Sequence, residues 1–414
     1  MNTGAGGGSP RPALVALLAT LSMFGPLSMD LYLPSLPRLA QDLEVSEQTA
    51  QLTMSVCFVA LGLGQLVYGP VSDRYGRRGP LLAATCGYVA MSAACALAPT
   101  AGALIVARTL QGLCGAGGVV IAMAIARDLA SGAALARLLA LLASITTLAP
   151  VVAPVVGGQL ARIMDWRGIF WVLTAIGVAI VAAVLVVGVP EASTGAARRE
   201  HPAHAARALA TDPVFRSVLL VIAAASVGLF AYLNMSTFAF QTDLGASETQ
   251  FSIAFATIAA AGLAGAQATR VAVTHTGPGR LFVAAVCVWA GVAVTLALVT
   301  RVGIGLPLIV AALALCQACL ATMLATGPSL ALGAHAPRAA TAASLLGVAG
   351  TIPGPLLVPL FSRAHVSAAS MTTAIAVAAA TAALLALMLV APALRRAAAA
   401  QAPASPDLAI EQER

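Results

Sequence analysis

The sequence predicts an all-α membrane protein, with twelve transmembrane helices arranged as two six-helix bundles. Three observations predict it. Of 414 residues, 60% are hydrophobic and only 9% charged, and the mean hydropathy is +0.95. A soluble chain of this length would need far more charge to cover its surface. Apolar stretches recur at close to the ~20 residues needed to cross a hydrocarbon core roughly 30 Å thick. The longest polar interruption, residues 190–216, divides those stretches six and six.

Residues 1–10 are Gly-rich and polar, lack the charged start and cleavage site of a secretory signal, and are expected to form a disordered tail. The first bundle, 11–189, contains apolar stretches at 13–33, 50–70, 80–98, 102–125, 138–160 and 168–189. Their length and rarity of charge make them membrane helices rather than buried soluble ones. Residues 190–216 read as a linker between bundles. The second bundle, 217–391, contains stretches at 217–240, 250–272, 281–300, 303–326, 339–361 and 370–391. The tail 392–414 is Ala, Pro and polar, and is expected to be disordered. Such a 6+6 arrangement fits a two-bundle transporter with a site between bundles near the midplane.

An even number of spans puts both termini on one side, and the Arg distribution chooses which. Loops on the terminal side carry Arg11, Arg74, Arg77, Arg78, Arg127, Arg137, Arg198, Arg199, Arg207, Arg216, Arg270, Arg280, Arg338, Arg395, Arg396 and Arg414. The opposite loops carry only Arg38, Arg162, Arg167, Arg301 and Arg363. The excess places both termini in the cytoplasm, by the preference of Arg for cytoplasmic loops. Arg without Lys, amid abundant Ala and Gly, suggests a GC-rich bacterial genome and hence a multi-pass protein of the bacterial inner membrane.

Composition also excludes chemistries. All 22 basic residues are Arg. Without Lys the chain cannot be a P-loop ATPase or form a Schiff base. The net charge of +7 is scattered over short loops, which argues against nucleic acid. The seven Cys lie in apolar stretches. Cys316 and Cys319 have redox spacing but no βαβ context, so they read as small apolar filler. No His/Cys cluster suggests a metal, and no cofactor is implied. An intramembrane enzyme would need a nucleophile and base within the spans. Gly-x-Ser-x-Gly, intramembrane His and paired carboxylates are all missing. A sensor or structural protein would favour a large soluble domain, which the pattern lacks.

Four segments carry more information. The loop after the second stretch reads Gly69-Pro70-Val71-Ser72-Asp73-Arg74-Tyr75-Gly76-Arg77-Arg78. Gly69 and Gly76 permit a tight turn or close helix contact. Asp73 could pair with a neighbouring Arg or face the positive N-terminus of another helix. The first stretch ends Pro26-Leu27-Ser28-Met29-Asp30-Leu31-Tyr32-Leu33-Pro34-Ser35-Leu36-Pro37. In the fourth, Arg108, Gln111, Gly112 and Gly115 share a face, and the stretch ends Arg127-Asp128. A guanidinium at a helix centre costs roughly 2.5–3.5 kcal/mol, so Arg108 should face the interior or a wet cavity unless it snorkels to the headgroups. The fifth reads Ala149-Pro150-Val151-Val152-Ala153-Pro154-Val155-Val156-Gly157-Gly158. Two prolines four apart tend to kink a helix.

The loop 69–78 resembles the G-x-x-x-D-R-x-G-R-R signature of the major facilitator superfamily at every specified position. The first-stretch pattern, with Leu61–Pro70 and Asp165–Trp171, looks like the Bcr/CflA group of drug-resistance exporters over about residues 20–190. The second half matches mainly in helix count, and its loop from Gln267 to Arg280 lacks the Asp-Arg core. This resemblance implies a major facilitator fold in which Gly69, Asp73, Arg74, Gly76, Arg77, Arg78 and Asp128 form a conformational latch, with a counterpart near Arg338. It implies a coupling role for Arg108. Pro150, Pro154, Gly157 and Gly158 resemble the antiporter motif, with Ala153 where the wider pattern has Gly. That motif favours export over uptake.

Only Asp30 among the acidic residues falls within a predicted helix. A carboxylate in low dielectric disfavours its charged form, so it can hold a proton in one conformation and release it in another. Asp30 is therefore the candidate proton carrier, with Arg108 as a neighbouring counter-charge; the bland alternative is a helix-end anchor. Substrate-contact candidates are Met23, Tyr32, Gln65, Gln111, Tyr232, Asn234 and Phe238, for each of which plain packing is an equal alternative. The expected activity is proton-coupled drug export by a monomer, with a small amphipathic molecule, protons and lipid as partners. Export of an endogenous metabolite, or nutrient import, is the alternative.

Overall fold

The computed structural model describes residues 12–130, 132–189, 202–332, 339–361 and 366–401. The expected tail 1–10, the linker's residues 190–201, Arg338 and residues 402–414 lie outside them. Among the described residues every regular element is helical. The first half comprises α1 (Pro12–Ser22), α2 (Phe24–Asp30), α3 (Leu36–Asp42), α4 (Glu47–Tyr75), α5 (Arg78–Ala96), α6 (Ala101–Leu129), α7 (Gly132–Ile163) and α8 (Trp166–Val187). A short helix, α9 (Pro202–Thr211), precedes the second half. That half comprises α10 (Pro213–Phe238), α11 (Glu248–Thr276), α12 (Pro278–Thr300), α13 (Leu306–Leu332), α14 (Ala339–Thr351), α15 (Pro353–Leu357), α16 (Ala368–Leu385) and α17 (Ala391–Gln401).

Ten helices among the described residues are long and apolar enough to cross a membrane, and an eleventh if α1–α3 counts as one bent span. The 32-residue α7 occupies the place of the fifth predicted stretch. Helix ends follow their local chemistry. Ser46, Thr100, Asp165, Asp212 and Ser247 each accept a backbone N–H from the first turn of the following helix, satisfying donors that have no intrahelical partner. Gly76 turns the chain between α4 and α5 with a φ of 81°, a conformation open to Gly at little cost.

Three segments differ from the sequence reading. The first span is broken: α1 meets the Leu27–Asp42 segment at 47°. Gly25 and Pro26 lie at the bend, and Pro26 has no N–H to donate. Helix then resumes as far as Asp42, beyond the expected end at 33. The linker carries α9, and α10 begins inside it at Pro213, with Asp212 as cap and Pro at the first helical position. The final helix runs to Gln401, ten residues into the segment expected to be disordered, because Ala and Arg are strong helix formers. Conversely, α7 is one continuous helix through both Pro150 and Pro154.

Close helix crossings depend on glycine. A Cβ at Gly112 would stand 2.2 Å from the Cys57 carbonyl oxygen, so α4 and α6 touch backbone to backbone there. Cys316 and Cys319 are buried free thiols in α13.

Candidate functional site

Arg108 is fully buried on α6 and does not snorkel to a headgroup level. Its guanidinium donates to Gln111 Oε1 at 2.7 Å, the Ser28 carbonyl at 3.3 Å, the Thr53 carbonyl at 3.4 Å and Met29 Sδ at 3.2 Å. It also lies 4.6 Å from the Tyr32 ring centre and 5.5 Å from that of Phe170. Both rings offer a negative face to the cation. Gln111 passes the network on by donating to Ser92 Oγ at 2.7 Å. The Tyr32 hydroxyl is paired with Thr53 Oγ1 at 2.9 Å, and the Ser28 hydroxyl with that of Tyr88. Arg108, Gln111 and Tyr32, three of the predicted residues, thus form one cluster tying α2, α4, α5, α6 and α8 together.

Asp30 ends α2 and is 4% exposed. Among the described residues its carboxylate has no ion pair or hydrogen bond. The expected pairing with Arg108 is not formed here. Arg108 spends its donors on the backbone of Ser28 and the side chain of Met29, while Asp30 comes within electrostatic reach of Tyr232 in the other half. Helix α7 packs hard against this point. A Cβ at Gly157 would sit 2.0 Å from the Leu31 carbonyl oxygen, and one at Gly158 would sit 2.0 Å from Ser252 Oγ on α11. The two glycines therefore let one helix touch both the Asp30 segment and the opposite half. Pro154 is buried beside them; the side chain of Pro150 lies outside the described part.

The remaining substrate-contact candidates divide. Tyr232, Asn234 and Phe238 are buried on α10 at the junction of the halves. Tyr232 stacks on Phe255, with ring centres 5.1 Å apart, and Asn234 Nδ2 donates to Ser55 Oγ of α4 at 2.9 Å. Met23 sits at the α1–α2 bend and Gln65 beside Gly347 of α14, both outside the Arg108 cluster. A groove of about 630 Å³ between α5 and α6 is lined by apolar residues such as Met91, Leu97 and Val106, and lies on the outer flank rather than between the halves.

The motif of residues 69–78 forms a clamp inside the first half. Arg77 donates to Asp73 Oδ1 at 2.6 Å, Asp128 Oδ2 at 2.8 Å and Ser72 Oγ at 2.9 Å, joining α4, α5 and α6. Burial works against the charged guanidinium, but the bonds to Asp128 and Asp73 outweigh it and hold its charge more firmly than an ordinary Arg. Arg74 and Arg78 are exposed, Arg74 lying over the Tyr75 ring at 5.4 Å. At Gly69 a Cβ would meet nothing within 4 Å.

Sequence reasoning missed the acceptors around Arg108, Thr53 above all. It also missed Ser55 and the ion pair Arg38–Glu248, 2.8 Å long, which joins α3 to α11. The polar residues Gln51, Thr53 and Ser55 within the apolar second stretch were the available signal. Asp165-Trp166-Arg167 proves architectural. Asp165 caps α8, the Trp166 indole donates to Asp42 Oδ2, and Arg167 donates to the Ala98 carbonyl.

A family model described as Major Facilitator Superfamily matches residues 18–272. The Bacillus subtilis protein YdgK, described as an uncharacterized MFS-type transporter, is 38% identical over 256 residues, 60% of this chain and 63% of its own length. The multidrug resistance protein MdtL of Klebsiella pneumoniae is 28% identical over 360 residues, covering 86% of this chain and 90% of MdtL. MdtL of Escherichia coli is 27% identical over 372 residues, 90% of this chain and 94% of that protein. Among solved structures, an inward-facing, occupied bacterial homologue of the human lysosomal transporter Spinster superposes with a TM-score of 0.68. It covers 95% of this chain and 100% of its own at 14% identity, a likeness of fold alone.

Proposed function

This chain belongs to the major facilitator superfamily of membrane transporters, and from that premise we propose that it is a drug exporter of the Bcr/CflA type, driven by inward proton movement. It works by alternating access in the bacterial inner membrane, with both termini cytoplasmic and the α3–α4 and α10–α11 turns outside. Asp30 carries the proton. The single observation that carries this reading is the Asp30 carboxylate itself: buried, without an ion pair or hydrogen bond among the described residues, and set where α7 and α10 meet the broken first span. A charge so placed is costly, and a proton removes the cost. Arg108 does not neutralise Asp30 in this state; it holds the backbone before Asp30 in place through the Ser28 carbonyl. The names of the MdtL relatives support a drug as the substrate.

The driving force is sufficient. One charge crossing 100 mV is worth about 2.3 kcal/mol, and one pH unit about 1.4 kcal/mol. Together, about 3.7 kcal/mol supports a drug gradient of a few hundredfold. The test is accumulation of chloramphenicol, bicyclomycin, a fluoroquinolone and a cationic dye in efflux-deficient bacteria expressing the protein, with and without a protonophore. Depletion of a compound that the protonophore reverses is the expected result. No depletion despite verified membrane expression would remove the drug reading and leave an endogenous metabolite as the cargo.

A further inference from the structure

The groove on the flank of the first half plays no part in the transport reading. It encloses about 630 Å³ between α5 and α6, near the turn that joins them, a volume within the roughly 300–1,000 Å³ of small-molecule pockets. Its α6 wall runs from Gly102 to Leu110, about 12 Å at 1.5 Å per residue. Gly102 keeps it open: a Cβ there would meet only Thr100 Oγ1, at 4.0 Å. Leu97 and Val106 are more than half exposed along it, and from Gly79 to Ala107 the chain carries no charged residue. An exposed apolar trough of this kind marks a binding surface.

A cation stands at one end. The Arg167 guanidinium donates to the carbonyl of Ala98, a lining residue, at 3.2 Å and lies 4.1 Å from the centre of the Trp166 ring. The neighbouring carboxylates are engaged elsewhere, Asp165 with the Gly168 N–H that it caps and Asp42 with the Trp166 indole. Among the described residues Arg167 has no ion pair.

We propose that this groove binds an anionic phospholipid, with one acyl chain along α5 and α6 and the phosphate paired with Arg167. Charge complementarity argues for that occupant. An apolar trough ending at an unpaired guanidinium matches an amphiphile with a hydrocarbon tail and a negative head. A neutral drug would leave the guanidinium unpaired. The lipid covers the outer face of α6 at Ala107, the residue before Arg108, so bilayer composition acts directly on the helix that carries the buried cation. The site does not depend on what the protein exports.

The test uses a full chain whose seven native cysteines are replaced by Ala, with a bimane fluorophore at Ala90→Cys, beside the inner end of the groove, or at Val294→Cys on the exposed side of α12. Both positions stand six residues before the end of their helices, so they sample similar depths. Phosphatidylglycerol or phosphatidylcholine with a nitroxide on its acyl chain, at low fraction in phosphatidylcholine vesicles, quenches the fluorophore according to local occupancy. At Ala90 phosphatidylglycerol is expected to quench as though enriched about fivefold, the worth of roughly one basic residue at an anionic head. At Val294 the two lipids should quench alike. Arg167→Gln removes the enrichment, and Arg167→Lys keeps it within about twofold because it keeps the charge. Gly102→Phe fills the groove and removes the enrichment with Arg167 intact. Equal quenching by the two lipids at Ala90 in the folded protein would overturn the proposal. So would the same enrichment at Val294, wild-type enrichment in Arg167→Gln or Gly102→Phe, or Arg167→Lys matching Arg167→Gln.

Discussion

Gly157→Ala is the substitution whose effect follows most directly from the packing. The added Cβ would lie 2.0 Å from the Leu31 carbonyl oxygen and 2.9 Å from its carbon. Ordinary contact begins near 3.4 Å, so α7 must retreat from the Asp30 segment by about 1.4 Å, and against backbone it meets no flexible side chain that could give way. Overpacking of this kind costs about 1–3 kcal/mol, offset by up to about 1 kcal/mol from the better helix propensity of Ala. A net loss of roughly 1–2 kcal/mol corresponds to about tenfold in an equilibrium, at ~1.4 kcal/mol per decade. The assay pairs a melting curve in detergent with drug export from proteoliposomes. Gly157→Ala should melt several degrees lower and export about tenfold more slowly, if the loss falls on the conformational step. Gly69→Ala is the control: its Cβ meets nothing within 4 Å, so only the propensity gain remains and stability should hold or rise. Wild-type melting and export in Gly157→Ala, or a larger loss in Gly69→Ala, would refute the packing argument.

Further substitutions separate the roles of the charged groups. Arg108→Lys should remain folded by size-exclusion chromatography yet lose export more than about tenfold, because one ammonium cannot reproduce a planar fork held between two rings and several acceptors; wild-type export would contradict this. Arg77→Gln gives up bonds to two carboxylates. With those carboxylates partly exposed, thermal denaturation should show a loss of about 1–3 kcal/mol, and smaller losses for Asp73→Asn and Asp128→Asn. The Arg38–Glu248 pair has an Arg side chain 53% exposed. A double-mutant cycle with Arg38→Ala and Glu248→Ala should therefore give a coupling below about 1 kcal/mol, and a larger value would contradict this reading of a solvent-exposed pair.

The fold was legible because the membrane imposes a coarse and repetitive demand. Stretches of the right length with almost no charge leave few alternatives to helices, and the polar segment after Val189 divides them. The broken first span was less legible. Pro26, Pro34 and Pro37 were in plain view, but whether a proline bends, breaks or merely begins a helix depends on what packs around it. Arg108, Tyr32 and Gln111 could be picked out as polar residues in apolar helices, and they do come together. The partners of Arg108 could not be: carbonyls of Ser28 and Thr53 carry no side-chain signature, and a backbone oxygen becomes a ligand only through tertiary approach. Gly157 and Gly69 make the same point. Both stand in recognisable motifs, yet only one is pressed against a neighbouring backbone in this state, and sequence does not distinguish a crowded glycine from an open one. The unpaired polar atoms of Gln51 and Thr237 lie further still from sequence, since lacking a partner is a property of tertiary packing.

The central claim is that Asp30 carries the coupling proton, and the most direct test is drug export from proteoliposomes with and without an imposed pH gradient, comparing wild type with Asp30→Asn. The account predicts that the gradient accelerates export by wild type, whereas Asp30→Asn moves drug only down its own gradient, at a rate indifferent to pH. Gradient-driven export at the wild-type rate in Asp30→Asn would contradict it.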